Sequence, residues 1–254
     1  MIFYFSGNGT TEWVARQLAE RLDEELCFIP DAMAEGRQFE LAEGEPMGVV
    51  FPCYGWGVAP IIERFIERVD VRNVSYLYMV TTCGDDTGQT SLIFSRDVAR
   101  RGFSMAAAWA VQTPETYVCL PGFRLDSDEK AARKYKAAMA QIEAIADGVR
   151  KRVCGVDDSK PGPLPWAKSH IVRPFFYSFL LSPRPFHTTE RCNKCGKCVR
   201  VCPYHNIELK DGRIHWLSDC TLCLRCYHSC PSNAIQWGPF TKGKGQFRLA
   251  SFVK

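Results

Sequence analysis

Eight cysteines near the end of the 254-residue chain fall into two copies of one pattern. Cys192, Cys195, Cys198 and Cys202 run into Pro203, and Cys220, Cys223, Cys226 and Cys230 run into Pro231. Three closely spaced thiolates can wrap one face of a cubane iron–sulfur cluster. The x3 step and the following proline turn the fourth thiolate away, toward a second cluster. The spacing therefore assigns one [4Fe–4S] cluster to Cys192, Cys195, Cys198 and Cys230. It assigns another to Cys220, Cys223, Cys226 and Cys202. C-x2-C is also zinc spacing, but zinc accounts for neither the third regular cysteine nor the proline after each copy.

A second constellation opens the chain. The apolar run Met1–Phe5 breaks at Ser6, Gly7, Asn8, Gly9, Thr10 and Thr11, and an amphipathic pattern follows over Glu12–Glu24. A strand, a Gly/hydroxyl loop and a helix N-terminus make an anion cradle, in which backbone N–H groups and hydroxyls face a phosphate. The loop has no Lys, which excludes a P-loop, and Glu12 stands where a dinucleotide fingerprint needs its third Gly. Further strands are expected at Leu26–Ile29, Met47–Phe51, Tyr76–Thr81 and Ser104–Val111. Helices are expected at 61–69, 89–101 and 128–152. Five strands alternating with helices predict an α/β doubly wound parallel sheet, whose ligands sit at the C-terminal strand ends. Those ends carry Pro52, Tyr54, Gly55, Trp56 and Gly57 after the third strand, and Thr82, Cys83, Gly84 and Asp85 after the fourth. Two aromatics among glycines suit a flat, phosphate-bearing heterocycle, although Tyr54 and Trp56 could equally be packing aromatics.

The segments Phe3–Gly7, Phe51–Tyr54 and Thr113–Tyr117, together with both cysteine repeats, resemble the flavodoxin–ferredoxin fusion proteins of the EFR family of ferredoxins. The resemblance implies a flavodoxin-like five-stranded sheet of order 2-1-3-4-5 and a small α+β ferredoxin-like domain holding two [4Fe–4S] clusters. It implies FMN as the ligand, its phosphate on Ser6–Thr11 and its ring between loops 52–58 and 82–88. The family's loop reads Ser-Gly-Thr-Gly-Asn, whereas Asn8 and Thr10 are exchanged here.

Domain limits follow at 1–155 for the flavodoxin-like part, 156–186 for a linker and 187–254 for the ferredoxin part with a basic surface tail. Six prolines between 161 and 185 argue against a continuous helix across the linker. Its apolar stretch Ile171–Leu181 is too short to span a bilayer. Packing between the domains is expected of it, with a membrane-surface or partner-docking patch as the alternative. Residues 1–155 have a net charge of −5 and residues 156–254 one of +9. The basic part balances anionic clusters or steers a redox partner, and nothing in it reads as a nucleic-acid motif. The five remaining cysteines, Cys27, Cys53, Cys83, Cys119 and Cys154, form no disulfide framework. With no leader or membrane span expected, thiolate ligands point to the reducing cytoplasm. His205 and His228 sit at equivalent places in the repeats and suggest packing or hydrogen bonding near the clusters.

The function expected is electron transfer between FMN, two clusters and a redox protein, with no side chain needed as acid or base. An FMN-dependent reductase of a small organic substrate is one alternative. A flavin-free docking module fused to a ferredoxin is the other.

Overall fold

The computed structural model describes residues 1–252, with every side chain but that of Leu180. The central sheet is built from β1 (Ile2–Tyr4), β2 (Leu26–Phe28), β3 (Met47–Pro52), β4 (Leu77–Cys83), β5 (Met105–Gln112) and β6 (Val156–Asp158). All neighbours are parallel, in the order 2-1-3-4-5-6. The expected five-stranded order holds, and the strand count is corrected from five to six. After the long helix that follows β5, the Gly155 N–H donates to the Ala106 carbonyl (2.8 Å) and lays Val156–Asp158 along the free edge of β5. Its three residues are exposed and lack apolar alternation, so the sequence carried no strand signal there.

Period-two alternation splits the strand side chains between two cores. Phe3, Phe5, Val49, Phe51, Leu77 and Met79 face α2 (Pro60–Arg68) and α3 (Thr90–Ala99). Ile2, Tyr4, Val50, Tyr78, Val80 and Trp109 face α1 (Thr10–Leu22) and α4 (Asp128–Arg150). Both faces are covered, as an all-parallel sheet requires. Gly48 makes one large side chain possible: a Cβ there would lie 2.5 Å from the Tyr78 ring.

The linker departs from expectation. Residues 165–180 form one unbroken helical run, α5, alternating α and π turns. Pro165 occupies its first turn, where no N–H is missed, and Pro161, Pro163, Pro183 and Pro185 lie outside it. Of the six prolines, Pro174 alone falls inside, and the wider π turns on either side displace the carbonyl that its ring would strike.

The C-terminal part has two antiparallel pairs. β7 (Phe186–Thr188) joins β10 (Ile235–Trp237), and β8 (Ile207–Lys210) joins β9 (Arg213–Trp216). Two short helices, α6 (Lys197–Val201) and α7 (Arg225–Ser229), pack together within it. The expected surface tail is instead docked. Phe247 is buried, Phe252 stacks on Tyr135 of α4, and Lys244 donates to the carbonyls of Val118 and Leu120. Apolar anchors spaced along a basic segment read as a tail in sequence, because their partners lie in the other domain. Val253 and Lys254, part of the expected tail, fall outside the described residues.

The Tyr78 hydroxyl is buried without a hydrogen-bond partner. Tyr78→Phe is therefore expected to leave stability unchanged or raise it by up to about 1 kcal/mol. Gly48→Ala should cost about 1–3 kcal/mol by overpacking against the same ring. Denaturant unfolding of the two variants checks both.

Candidate redox centres

Each cysteine repeat opens with the same backbone. Lys194 and Leu222, each two residues past a first cysteine, have positive φ, as do Gly196 and Leu224 four past, and His205 and Asn233 thirteen past. Leucine in the left-handed region costs of order 1–3 kcal/mol and persists only where its surroundings enforce it. Here the turns wrap the cysteines around a hollow. Cys192, Cys195, Cys198 and Cys230 line one chamber, and Cys202, Cys220, Cys223 and Cys226 line another. Each chamber takes three cysteines from one repeat and the last cysteine of the other. Their cavity volumes match, about 20 Å³ each, as two copies of one element should. Among the described residues no three His, Cys, Asp or Glu side chains converge as one metal ion requires.

The backbone is also poised for thiolate charge. The Asn206 N–H donates to Cys202 Sγ and the Ala234 N–H to Cys230 Sγ, both at 3.3 Å and both four residues on. Burial acts against the Cys230 thiol's ionisation, yet donors from Ala234 and Ser232 outweigh it and bring it below the ordinary thiol range. Burial pushes Cys220 up to about 11 and Cys223 up to about 12, against N–H donors that pull the other way. Such buried thiols stay protonated until a cation replaces the proton, which is how ligand cysteines couple to iron. The donor set and backbone fit [4Fe–4S] clusters.

The chambers differ in surroundings. The outer one, with Cys195 exposed, carries Lys194 and Lys197 on its wall and Arg191 and Arg200 nearby in sequence, all exposed. The inner one meets the first βα loop of the flavodoxin-like part. A Cβ on Gly7 would stand 2.6 Å from the Cys223 carbonyl oxygen, so this approach of two backbones tolerates glycine alone. Around it, Arg225 donates to the Ser6 carbonyl (3.4 Å), Arg64 grips Asp219 with two bonds (2.7 and 3.0 Å), and His228 bonds the Thr116 carbonyl (3.0 Å). Phe247 N–H donates to His228 Nδ1, so the proton sits on Nε2, and burial pushes that ring's pKa down to about 4.

The structure gathers Ser6–Thr11 and the loops after β3 and β4 on one sheet edge. Ser6 Oγ accepts from the Gly9 N–H (3.1 Å), Asn8 Oδ1 accepts from the Thr10 N–H (3.2 Å), and Thr11 and Thr82 share a hydroxyl bond (2.8 Å). The buried hydroxyls of Thr10 and Tyr135 lie within reach of one another and have no further partner. The pair keeps one O–H free, which suits a phosphate. Loop 52–58 makes a two-residue turn at Gly55 and Trp56, both left-handed, with reciprocal bonds between Tyr54 and Gly57.

The ring end of the edge is filled by the chain itself. Tyr54 lies among Thr221, Tyr204 and Cys223, and burial holds its hydroxyl pKa well up. Lys168 stands over Trp56 and pairs with Asp86, and Ser169 Oγ donates to the Trp56 carbonyl (2.7 Å). A Cβ on Gly55 would meet Phe176, on Gly57 Arg173, on Gly88 Ser169 and on Gly84 Glu115. Pro52 ends β3, and burial pushes the thiols of Cys53, to about 11, and Cys83 upward, as for inert packing cysteines. Asp85 is exposed beside Lys134. The phosphate end of the edge has donors that fit FMN, while the loops expected to flank its ring pack on α5, Glu115 and the inner chamber instead.

Sequence reasoning missed Arg64, Asp219, Arg225, Ser169, Arg173 and Glu115. Asn206 could have been found, since it and Ala234 follow their last repeat cysteines by the same four residues.

Comparison with known families agrees with this architecture. A flavodoxin-domain family model matches residues 1–117, and a 4Fe-4S dicluster-domain model matches residues 191–235. No curated protein matches the chain. The two domains support an electron-transfer iron–sulfur flavoprotein. A flavodoxin domain is thus followed by a 4Fe-4S dicluster domain, an order that matches a flavodoxin–ferredoxin fusion.

Gly7→Ala is expected to unseat the inner cysteine loop, costing about 1–3 kcal/mol. Its thermal midpoint should fall, with faster loss of bound iron than in the parent. Burial raises the Glu115 carboxyl above its ordinary 4.5, despite N–H donors from Tyr117 and Thr116. The folded state then holds that proton more tightly than the unfolded state, so stability falls as pH rises from about 4.5 through the raised value. Glu115→Gln should flatten that part of a stability–pH curve measured by urea unfolding.

Proposed function

We propose that this chain carries electrons between a docked redox protein and its flavodoxin-like edge by way of two [4Fe–4S] clusters. Cys192, Cys195, Cys198 and Cys230 would hold the outer one, and Cys220, Cys223, Cys226 and Cys202 the inner one. The carrying observation is the pair of four-cysteine chambers, one open at Cys195 and the other pressed against Gly7. When bound, the clusters supply one-electron chemistry and FMN both one- and two-electron chemistry. The chain's part is to hold and tune. N–H groups of Asn206 and Ala234 stabilise charge on the ligand sulfurs, which favours the reduced state. Lys194, Lys197 and their basic neighbours favour an acidic partner surface at the outer chamber. Ser6–Thr11 would take the FMN phosphate, and Pro52, Tyr54–Gly57 and Thr82–Asp85 would flank its ring once residues 165–180 move aside. We take residues 1–155, 156–186 and 187–254 as the functional divisions, the start of the second (β6) adding a strand to the sheet of the first, and place the protein in the cytoplasm on the requirement of thiolate ligands for a reducing compartment.

One observation favours a second reading, a flavin-free docking module. The glycines expected to face the ring face Phe176, Arg173, Ser169 and Glu115 instead.

Iron, sulfide and released flavin measured on anaerobically purified protein separate the two. About eight irons and one FMN per chain are expected from the ligand count. Eight irons without flavin would leave a two-cluster carrier whose sheet edge serves as a dock, and about four irons would remove the relay. Cys195→Ser should perturb the outer cluster's electron paramagnetic resonance signal alone, leaving the inner one intact.

A further inference from the structure

Helix α5 is amphipathic in an unusual sense, because its polar face is the one turned inward. Lys168, Ser169, Arg173 and Tyr177 are tied to loops of the flavodoxin-like part. Lys168 pairs with Asp86 and Ser169 accepts from the Gln89 N–H (2.8 Å). Arg173 pairs with Glu63, and the Tyr177 hydroxyl donates to the Val58 carbonyl (2.8 Å). With that face held, the opposite one is presented to solvent. Leu164, just before the helix, and Trp166, Ile171, Val172, Phe175 and Phe179 are 42–75 % exposed. Phe175 and Phe179 lie one turn apart with ring centroids 4.9 Å from each other. Large apolar side chains gathered on one exposed face mark an interaction surface.

The charge around that face selects the occupant. Residues 159–189 hold no Asp or Glu; of their four Lys/Arg, Lys168 and Arg173 pair inward with Asp86 and Glu63, which leaves Lys160 and Arg184 to set the charge at the two ends of the exposed face. An aromatic, apolar face flanked by Lys160 and Arg184, in a segment with no acidic residue of its own, has the make-up of a helix that lies in the headgroup layer of an anionic bilayer. A second copy fits less well, since a symmetric pairing would set this basic segment against itself. The helix is 16 residues, about 24 Å long, so it can lie along a surface of about 30 Å hydrocarbon thickness without crossing it. Among the described residues no helix is long and apolar enough to cross a membrane.

We infer that the outer face of residues 164–179 docks the protein peripherally on an anionic lipid surface. The inference concerns the arrangement in which residues 165–180 are held over the sheet edge. It adds a place for the redox chain: the cytoplasmic face of a membrane, where the docked segment is also the one lying over the flavodoxin-like edge.

Flotation of the full-length, cluster-loaded protein tests it, with vesicles of phosphatidylcholine alone and of phosphatidylcholine mixed with phosphatidylglycerol. The protein should float with the mixed vesicles at low salt and lose most of that binding at high salt. Phe175→Ser combined with Phe179→Ser should lower the partition coefficient at least about tenfold. Unchanged iron content and visible absorbance of that variant would show that its fold and clusters are intact. Lys160→Glu with Arg184→Glu should weaken binding to mixed vesicles several-fold. The inference is overturned if the parent floats with neither vesicle, or if the Phe double variant binds as well as the parent. It is overturned also if the parent sediments as a dimer that this variant abolishes while neither binds lipid, which would give the face to a second copy.

Discussion

The meeting of Gly7 with Cys223 is the contact on which the arrangement of the two domains depends. A carbonyl oxygen comes within 2.6 Å of where a Cβ would stand, so both backbones must run past one another with no side chain between. Three further contacts, of Arg225 with Ser6, Arg64 with Asp219 and His228 with Thr116, then join the two domains around that point. A doubly wound sheet ordinarily offers the C-terminal ends of its strands to a ligand. Here much of that edge is given to the chain's own later segments, with the inner thiol chamber at one end and α5 at the other. The flavodoxin-like part is therefore as much a platform for the cysteine domain as a ligand site.

Inside the cysteine domain the governing constraint is local strain applied twice. Left-handed residues recur at the same offsets in both repeats, and two of them are leucines, which disfavour that conformation. The strain orients successive N–H groups and thiols toward a common hollow, and each repeat's last cysteine completes the other's chamber. The two centres are consequently not independent modules. Loosening one repeat withdraws a ligand from both, which ties cluster loading to folding of the whole domain.

Helix α5 shows how tertiary contacts can invert what amphipathicity implies. Taken alone, its apolar residues would be assigned to an interior. The loops of the sheet edge offer carbonyls and carboxylates instead, and these take the Lys, Ser, Arg and Tyr of the helix; Phe176 is buried with them, while Trp166, Phe175 and Phe179 are left outside. The cost of exposing several large apolar side chains is offset only if another phase or surface covers them.

The sequence by itself determined the two cysteine repeats, the exchange of their fourth cysteines, the alternation of strands and helices and the Gly/hydroxyl loop, while the strand order 2-1-3-4-5 came from the family resemblance. The former are written in short-range spacing: cysteine intervals, apolar runs alternating with helical patterns, and the abrupt break from an apolar strand to glycine. Tertiary structure decided what spacing cannot encode. It added the sixth strand, whose exposed residues Val156–Asp158 pair only because β5 presents a free edge. It converted a proline-rich linker into a helix through π turns, and an apparent tail into a docked segment anchored by Phe247 and Phe252. It also brought Gly7 beside Cys223, more than two hundred residues away, and turned Tyr54 toward the inner chamber. Such contacts arise from shape and hydrogen-bond complementarity between distant surfaces, and no local pattern of residue types records which surface a given face will meet.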